Sequence, residues 1–295
     1  ILALLFFGYF YFTNKEQKSY RQKKAREQFV IDSTAKANAP KRDTAALARD
    51  SAKNDSINAV TKEGVFHDTT KGTEKIVTVQ NDLIKVTFSS KGGQPQKAEL
   101  KNFKGLDSNW VRLAGTDFDK ISYTINTGNQ STAQTSDLFF NKIDSSVDPD
   151  GSKKISFTLA SSDSSGKSIT HEFILRKDDY MVDFNVKMNK ADQLLTAGQM
   201  NLTWQYAAAQ QESDISYEKQ NTQVGYVKDG SFDYHTIGKR SSKEFNESVN
   251  WLGVRQRFFF TILLAKDKFS SGKMEWSIPP DTAKTIIRST ANMKI

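Results

Sequence analysis

The 295-residue sequence contains no cysteine, which removes a disulfide framework, a thiolate zinc site and a cysteine nucleophile together. The same absence suits a reducing or an oxidising compartment. Histidine is nearly as scarce: His67, His171 and His235 are the three present, and their dispersal gives no ligand spacing. His171 shares a strand face with Ile169 and Phe173, the setting of a half-buried, hydrogen-bonded histidine. The local signatures of catalysis are also missing, with no Gly-x-Ser-x-Gly elbow, no phosphate-cradling glycine loop followed by Lys and Ser/Thr, and no His-Glu-x-x-His. Asp178-Asp179 is no acid/base pair, because adjacent strand residues face opposite ways and this pair sits in a turn. Lys91-Gly92-Gly93 follows a strand and precedes Gln94-Pro95, where a phosphate loop would open a helix, so it reads as a turn needing positive φ. No catalytic, cofactor or metal residue is expected, and the remaining class of function is binding or assembly.

The net charge of +8 raises nucleic acid as a partner, but that reading requires a coherent basic patch interleaved with stacking aromatics. Half of the excess instead lies in one segment, where Lys15, Lys18, Arg21, Lys23, Lys24 and Arg26 against Glu16 and Glu27 leave +4. Its neighbour is the apolar run Ile1 to Phe12, ILALLFFGYFYF, so anionic lipid is the nearer partner and no nucleic acid is expected. As a helix that run would rise only about 18 Å, against about 30 Å for a bilayer core, and it reads as the last half of a longer span. Tyr9, Phe10, Tyr11 and Phe12 resemble the aromatic belt where a span meets headgroups. A cleaved signal peptide is the alternative, but Thr13-Asn14-Lys15-Glu16 supplies no small residues for cleavage and the first Ala-x-Ala comes only at Ala35-Lys36-Ala37. By the positive-inside tendency the basic segment would lie in the cytoplasm.

Residues 13–73 form the basic juxtamembrane segment and a tether rich in Ala, Lys, Asp, Ser, Thr and Asn, too poor in large apolar side chains to offset its ordering entropy. From residue 74 to 295 the pattern turns to period two. Ile84, Val86 and Phe88 alternate with Lys85 and Thr87, and Ile121, Tyr123, Ile125 and Ile155, Phe157, Leu159 do the same. Ile169 to Leu175 turns through Arg176-Lys177-Asp178-Asp179 into Val182 to Met188 as a hairpin, and Asp229-Gly230 suits a tight hairpin turn. Met200 to Tyr206 and Met274 to Ile278 add strands. Many short strands with few helical stretches predict a large antiparallel β-sandwich. Within Asn250 to Leu264, the spacing of Trp251, Val254 and Phe258 predicts a short amphipathic helix feeding a buried strand from Phe258 to Leu264. On that reading Phe260→Ala costs about 3–5 kcal/mol.

Here the sequence resembles the large periplasmic domain of the YidC/Oxa/Alb insertase family. The resemblance is carried in order by Asn81-Asp82-Leu83-Ile84-Lys85-Val86-Thr87-Phe88, by the turn at Gly92 and Gly93, by Ala98-Glu99-Leu100, by Tyr217-Glu218-Lys219, and by Trp251 followed by Gln256 and Phe258-Phe259. It implies a β-supersandwich of the galactose mutarotase-like kind with a few short helices, on the periplasmic side of the bacterial inner membrane, which overrides the orientation suggested by charge. It also implies five further membrane segments beyond Ile295, an intramembrane groove among them, and contacts with SecD, SecF, SecY or nascent membrane proteins. No insertase groove residue falls within this chain. The alternative is a membrane-anchored sugar epimerase or carbohydrate-binding protein on the same type of sandwich, which would need a histidine and a carboxylate converging as acid and base. The isolated β-domain, from near Thr73, is expected to be monomeric and to close its own core.

Overall fold

The computed structural model describes residues 66, 69, 72–128, 131–239 and 241–295, all within one compact unit, Ile57–Ile295. Tyr9, Phe10, Tyr11 and Phe12, expected from sequence to end an anchor, lie outside the described residues, as do His67 and nearly all of the expected tether. Phe66, placed in the tether from sequence, is fully buried in the core, and Thr69 is buried beside it, its Oγ1 donating to the Phe66 carbonyl at 2.6 Å. One phenylalanine in a polar stretch has no periodicity to betray it. Among the described residues no helix is long and apolar enough to cross a membrane.

The architecture is mainly β and antiparallel, as the sequence predicts. Strands β1 (Ile76–Gln80), β2 (Ile84–Ser89), β3 (Gln94–Lys104) and β4 (Trp110–Ala114) form a meander in sequence order. Next, β5 (Lys120–Gly128) and β6 (Ser131–Gln134) begin a larger sheet, and β7 (Lys142–Val147), β8 (Lys153–Ala160), β9 (Ser168–Leu175) and β10 (Val182–Asn189) make a second meander. After the one-turn helix α1 (Ala191–Leu194), β11 (Asn201–Ala209) returns to pair with β5. Helix α2 (Ile215–Gln220) leads to the hairpin β12 (Gln223–Lys228) and β13 (Ser231–Thr236), then come β14 (Ser242–Phe245), β15 (Val249–Arg255), β16 (Phe260–Phe269), β17 (Ser271–Ser277) and β18 (Thr285–Lys294). The six-stranded sheet runs β14-β17-β18-β11-β5-β6, and the last four-stranded sheet runs β13-β12-β15-β16.

Alternation decides which faces meet. In β9, Ile169, His171, Phe173 and Leu175 are buried while the intervening residues are half-buried, so this strand presents one apolar face inward. Phe173 lies 4.8 Å from Phe88 of β2 and stacks on Phe184 of β10, which joins the two meanders through aromatic contacts. The β12–β13 turn has Asp229 at φ 49° and Gly230 at φ 78°, the two positive values that a tight hairpin of matching twist requires. The side chain of Asn81 donates to the carbonyls of Arg176 and Asp179 at 2.6 and 2.7 Å, fixing the β9–β10 turn against the first sheet. His171 is fully buried, not half-buried as alternation alone suggests.

The segment from Asn250 to Leu264 differs from expectation. Trp251 and Val254 lie in strand β15, not in a helix, and face opposite sides of the sheet: Val254 is buried while Trp251 looks outward. Phe258 is 65% exposed in the β15–β16 turn, and Phe260 and Leu264 are 40% and 49% exposed on β16. The strand is therefore not a buried core strand, and a large cost for Phe260→Ala is not expected. Its inward residues include Thr261 and Leu263, and Leu263 packs against the core together with Phe259, which immediately precedes the strand. Because both faces of β16 carry apolar residues, the sequence shows no alternation from which the register could be read.

Candidate interaction site

The Gly92-Gly93 turn is structural, and its chemistry is that of close approach. Both residues have positive φ, 80° and 52°, and a Cβ on Gly93 would stand 2.9 Å from Phe140 and 3.0 Å from Phe157. The turn is buried and its backbone groups are spent internally. Gly92 N–H donates to the Leu138 carbonyl at 2.7 Å, and the Gly93 carbonyl meets His171 Nδ1 at 2.8 Å. A carbonyl can only accept, so Nδ1 carries the proton and Nε2 accepts from the Tyr123 hydroxyl at 2.7 Å. Burial lowers the His171 pKa to about 4, against the raising effect of the Gly93 and Gly92 backbone, and burial pushes the Tyr123 hydroxyl well up. This neutral chain ties the first sheet to β9 and β5, with both ring nitrogens of His171 occupied.

The two later segments of the family resemblance meet in space. Glu218 of α2 is buried and accepts from the backbone N–H of Gln211 at 2.9 Å and of Glu212 at 3.1 Å, and from Gln256 Nε2 at 2.7 Å. Burial raises its pKa above the ordinary carboxylate value, and the three donors pull the other way. Gln256 Nε2 also donates to the Ala209 carbonyl at 2.8 Å, so one amide and one carboxylate lock the end of β11, the helix and the β15–β16 turn together. Lys219 Nζ donates to the Pro279 carbonyl and to Asp281 at 2.7 and 2.6 Å. Outside this lock, the Arg257 guanidinium lies 5.1 Å from the Tyr217 ring and 4.8 Å from the Phe258 ring and donates to Glu212 at 3.0 Å. Tyr217, Arg257 and Phe258 are exposed, so the structure turns part of the resemblance into a surface cluster. Trp251 lies on the adjoining sheet face and Gly92 and Gly93 lie elsewhere, by the second meander.

Other sites offer little chemistry. The Tyr226 hydroxyl donates to Asp233 at 2.8 Å and lies 3.3 Å from His235 Nε2, a juxtaposition that sequence reasoning missed because the i, i+2 residues converge on a residue of the neighbouring strand. Tyr226 itself is fully buried. A cavity of about 800 Å3 lies beside β3 and β4, with Lys97, Lys104, Asp107, Trp110, Arg112 and Gln211 in its wall. Among the described residues no cluster of three or more His, Asp or Glu could hold a metal ion.

The sequence model of the YidC periplasmic domain family matches residues 76–291, the span of nearly all the strands. The chain belongs to that family. It is 30% identical over 219 residues to a membrane protein insertase YidC of Bacteroides fragilis strain YCH46, covering 72% of this chain and 33% of that protein. A membrane protein insertase YidC of Chlorobaculum tepidum is 26% identical over 272 residues, covering 90% of this chain and 44% of the relative, and one of Parabacteroides distasonis is 25% identical over 244 residues, covering 80% and 38%. The chain thus spans a third to under half of the length of these relatives.

Proposed function

We propose that this chain is the periplasmic, non-catalytic part of an inner-membrane protein insertase, and that it assists insertion and folding through contacts with translocon components such as SecD, SecF and SecY, or with client proteins. The match of the periplasmic-domain family over residues 76–291 carries the reading. The geometry adds to it. The pair required by a mutarotase-like enzyme does not form at His171, whose two nitrogens are bound inside the core, and the histidine and carboxylate that do converge, His235 and Asp233, meet on the hydroxyl of the fully buried Tyr226. The groups that reach solvent around the Glu218–Gln256 lock are Tyr217, Arg257 and Phe258, residue types that anchor protein contacts. The test is membrane insertion in insertase-depleted membranes. The isolated chain is expected to leave clients uninserted, and the intact protein to insert them. In the intact protein, a photo-crosslinker at Tyr217 or Phe258 should join a translocon subunit or a client. Robust insertion by the isolated chain, or adducts with neither class of partner, would overturn the proposal.

A further inference from the structure

The outer face of the β13-β12-β15-β16 sheet is apolar where an outward face should be polar. The register sets three rows across the four strands: Phe232, Val227, Trp251 and Leu264; then Tyr234, Gly225, Gly253 and Ile262; then Thr236, Gln223, Arg255 and Phe260. Two glycines stand side by side at the centre, Gly225 covered by aromatic rings and Gly253 by the neighbouring strand and Ile262. A Cβ on Gly225 would meet the Phe232 ring at 3.1 Å and the Phe260 ring at 3.5 Å, while one on Gly253 would meet the Thr261 carbonyl at 2.3 Å. Phe232 stacks on Trp251 at 5.7 Å and on Tyr234 at 6.0 Å, and Trp251 meets Phe260 edge-on at 5.3 Å. Phe232 and Tyr234 are 51% and 47% exposed, so the platform is fixed by its own ring contacts and still faces solvent.

We infer that this aromatic sheet face docks reversibly on the surface of an anionic lipid bilayer. The inference rests on the proposed function, which places the domain beside a membrane. Two observations choose the occupant. Four strands about 4.8 Å apart and three rows along them cover roughly 400 Å2, about half of what each partner of a stable dimer buries, which argues against a second copy. The composition is that of a membrane interface, with Trp, Tyr and Phe beside Leu and Ile. The charge of the sheet is of the sign that anionic headgroups attract: residues 223–236 and 249–269 together carry Lys228, Arg255, Arg257, Lys266 and Lys268 against Asp229, Asp233 and Asp267, net +2, although Arg257 is paired with Glu212. Arg255 lies in the platform's own third row, beside Phe260. A contact this small suffices for a domain held to the same bilayer by its own chain, since tethering makes the encounter intramolecular.

The test uses the intact protein reconstituted in vesicles of phosphatidylglycerol and a phosphatidylcholine brominated along its acyl chains, which quenches tryptophan at the interface. Quenching is expected to lose one component in Trp251→Phe, and the same component should vanish in Phe232→Glu/Tyr234→Glu. Arg255→Gln should weaken the contact roughly five-fold, the worth of one basic side chain near an anionic surface. Replacing phosphatidylglycerol by phosphatidylcholine should weaken it further. Near-ultraviolet circular dichroism checks that each variant is folded, and Arg255→Gln, a change of one exposed side chain, serves if the double variant is not. Equal quenching with and without Trp251, or crosslinks joining position 234 of two copies, would overturn the inference, as would protection of the face only upon adding a client peptide. Client insertion measured in the same vesicles separates the two claims. Retained insertion without Trp251 quenching removes the docking face and leaves the insertase reading, whereas absent insertion by the intact protein removes the latter.

Discussion

One buried residue should make this fold less stable in mild acid. His171 is fully buried and neutral, with a pKa lowered to about 4 by burial from an ordinary 6.5. The unfolded chain therefore binds a proton between those values where the native state does not, so stability is complete above about pH 6.5 and falls as pH drops towards 4. The penalty is negligible at pH 7, about 2 kcal/mol at pH 5, and approaches roughly 3 kcal/mol below pH 4. Glu218 acts with the opposite sign, because its raised pKa lets the native state take up a proton first. The assay is urea unfolding of the chain and of His171→Gln at pH 7 and pH 5, since Glu218 and the surface carboxylates cancel in the difference. Gln at this site titrates nothing. Its stability should fall about 2 kcal/mol less than the parent's between the two pH values, or roughly 0.7–1 M in urea midpoint for a slope of about 2–3 kcal/mol/M. Identical pH slopes for the two proteins, or a His171 ring that titrates near 6.5 by NMR, would refute the reasoning.

Gly93→Ala should cost about 3 kcal/mol, because it combines a left-handed backbone with overpacking against Phe140 and Phe157; an unfolding free energy in urea within about 1 kcal/mol of the parent's would show that the turn relaxes. Phe260→Ala should cost under about 1 kcal/mol and Phe173→Ala about 3–5 kcal/mol. The reverse order in urea unfolding would mean that β16 faces the other way.

Where one face of a strand is polar, its register was legible from the residues. Ile84, Val86, Phe88 and Ile155, Phe157, Leu159 point inward as their alternation predicts, and Asp229-Gly230 forms the tight turn its chemistry demands. The Trp251 segment was misread because strand β15 places apolar residues on both faces, which leaves a run with no period of two. Trp251, Val254 and Phe258 then mimic a helix by coincidence. The Glu218–Gln256 bond joins residues 38 apart, and neither has a local feature that selects the other. The aromatic face was hidden for a related reason: Phe232, Tyr234 and Phe260 become one surface only through strand pairing across β12 and β15. Glycines at 225 and 253 gave no sign of a platform until the register placed them side by side.

Strand β18 has a consequence for the order in which the protein is made. It is the last strand along the chain, yet it sits inside the six-stranded sheet, paired with β17 on one side and with β11 on the other. A chain emerging N-terminus first cannot close this sheet until Lys294 has appeared. Until then β11 and β17 each present an unpaired edge, the kind of template on which nascent strands pair wrongly or aggregate. The two meanders can form from neighbouring segments as they appear, whereas the central sheet waits. Folding of this domain thereby waits for residues 285–294, and a stalled or clipped chain lacking them would leave both edges open.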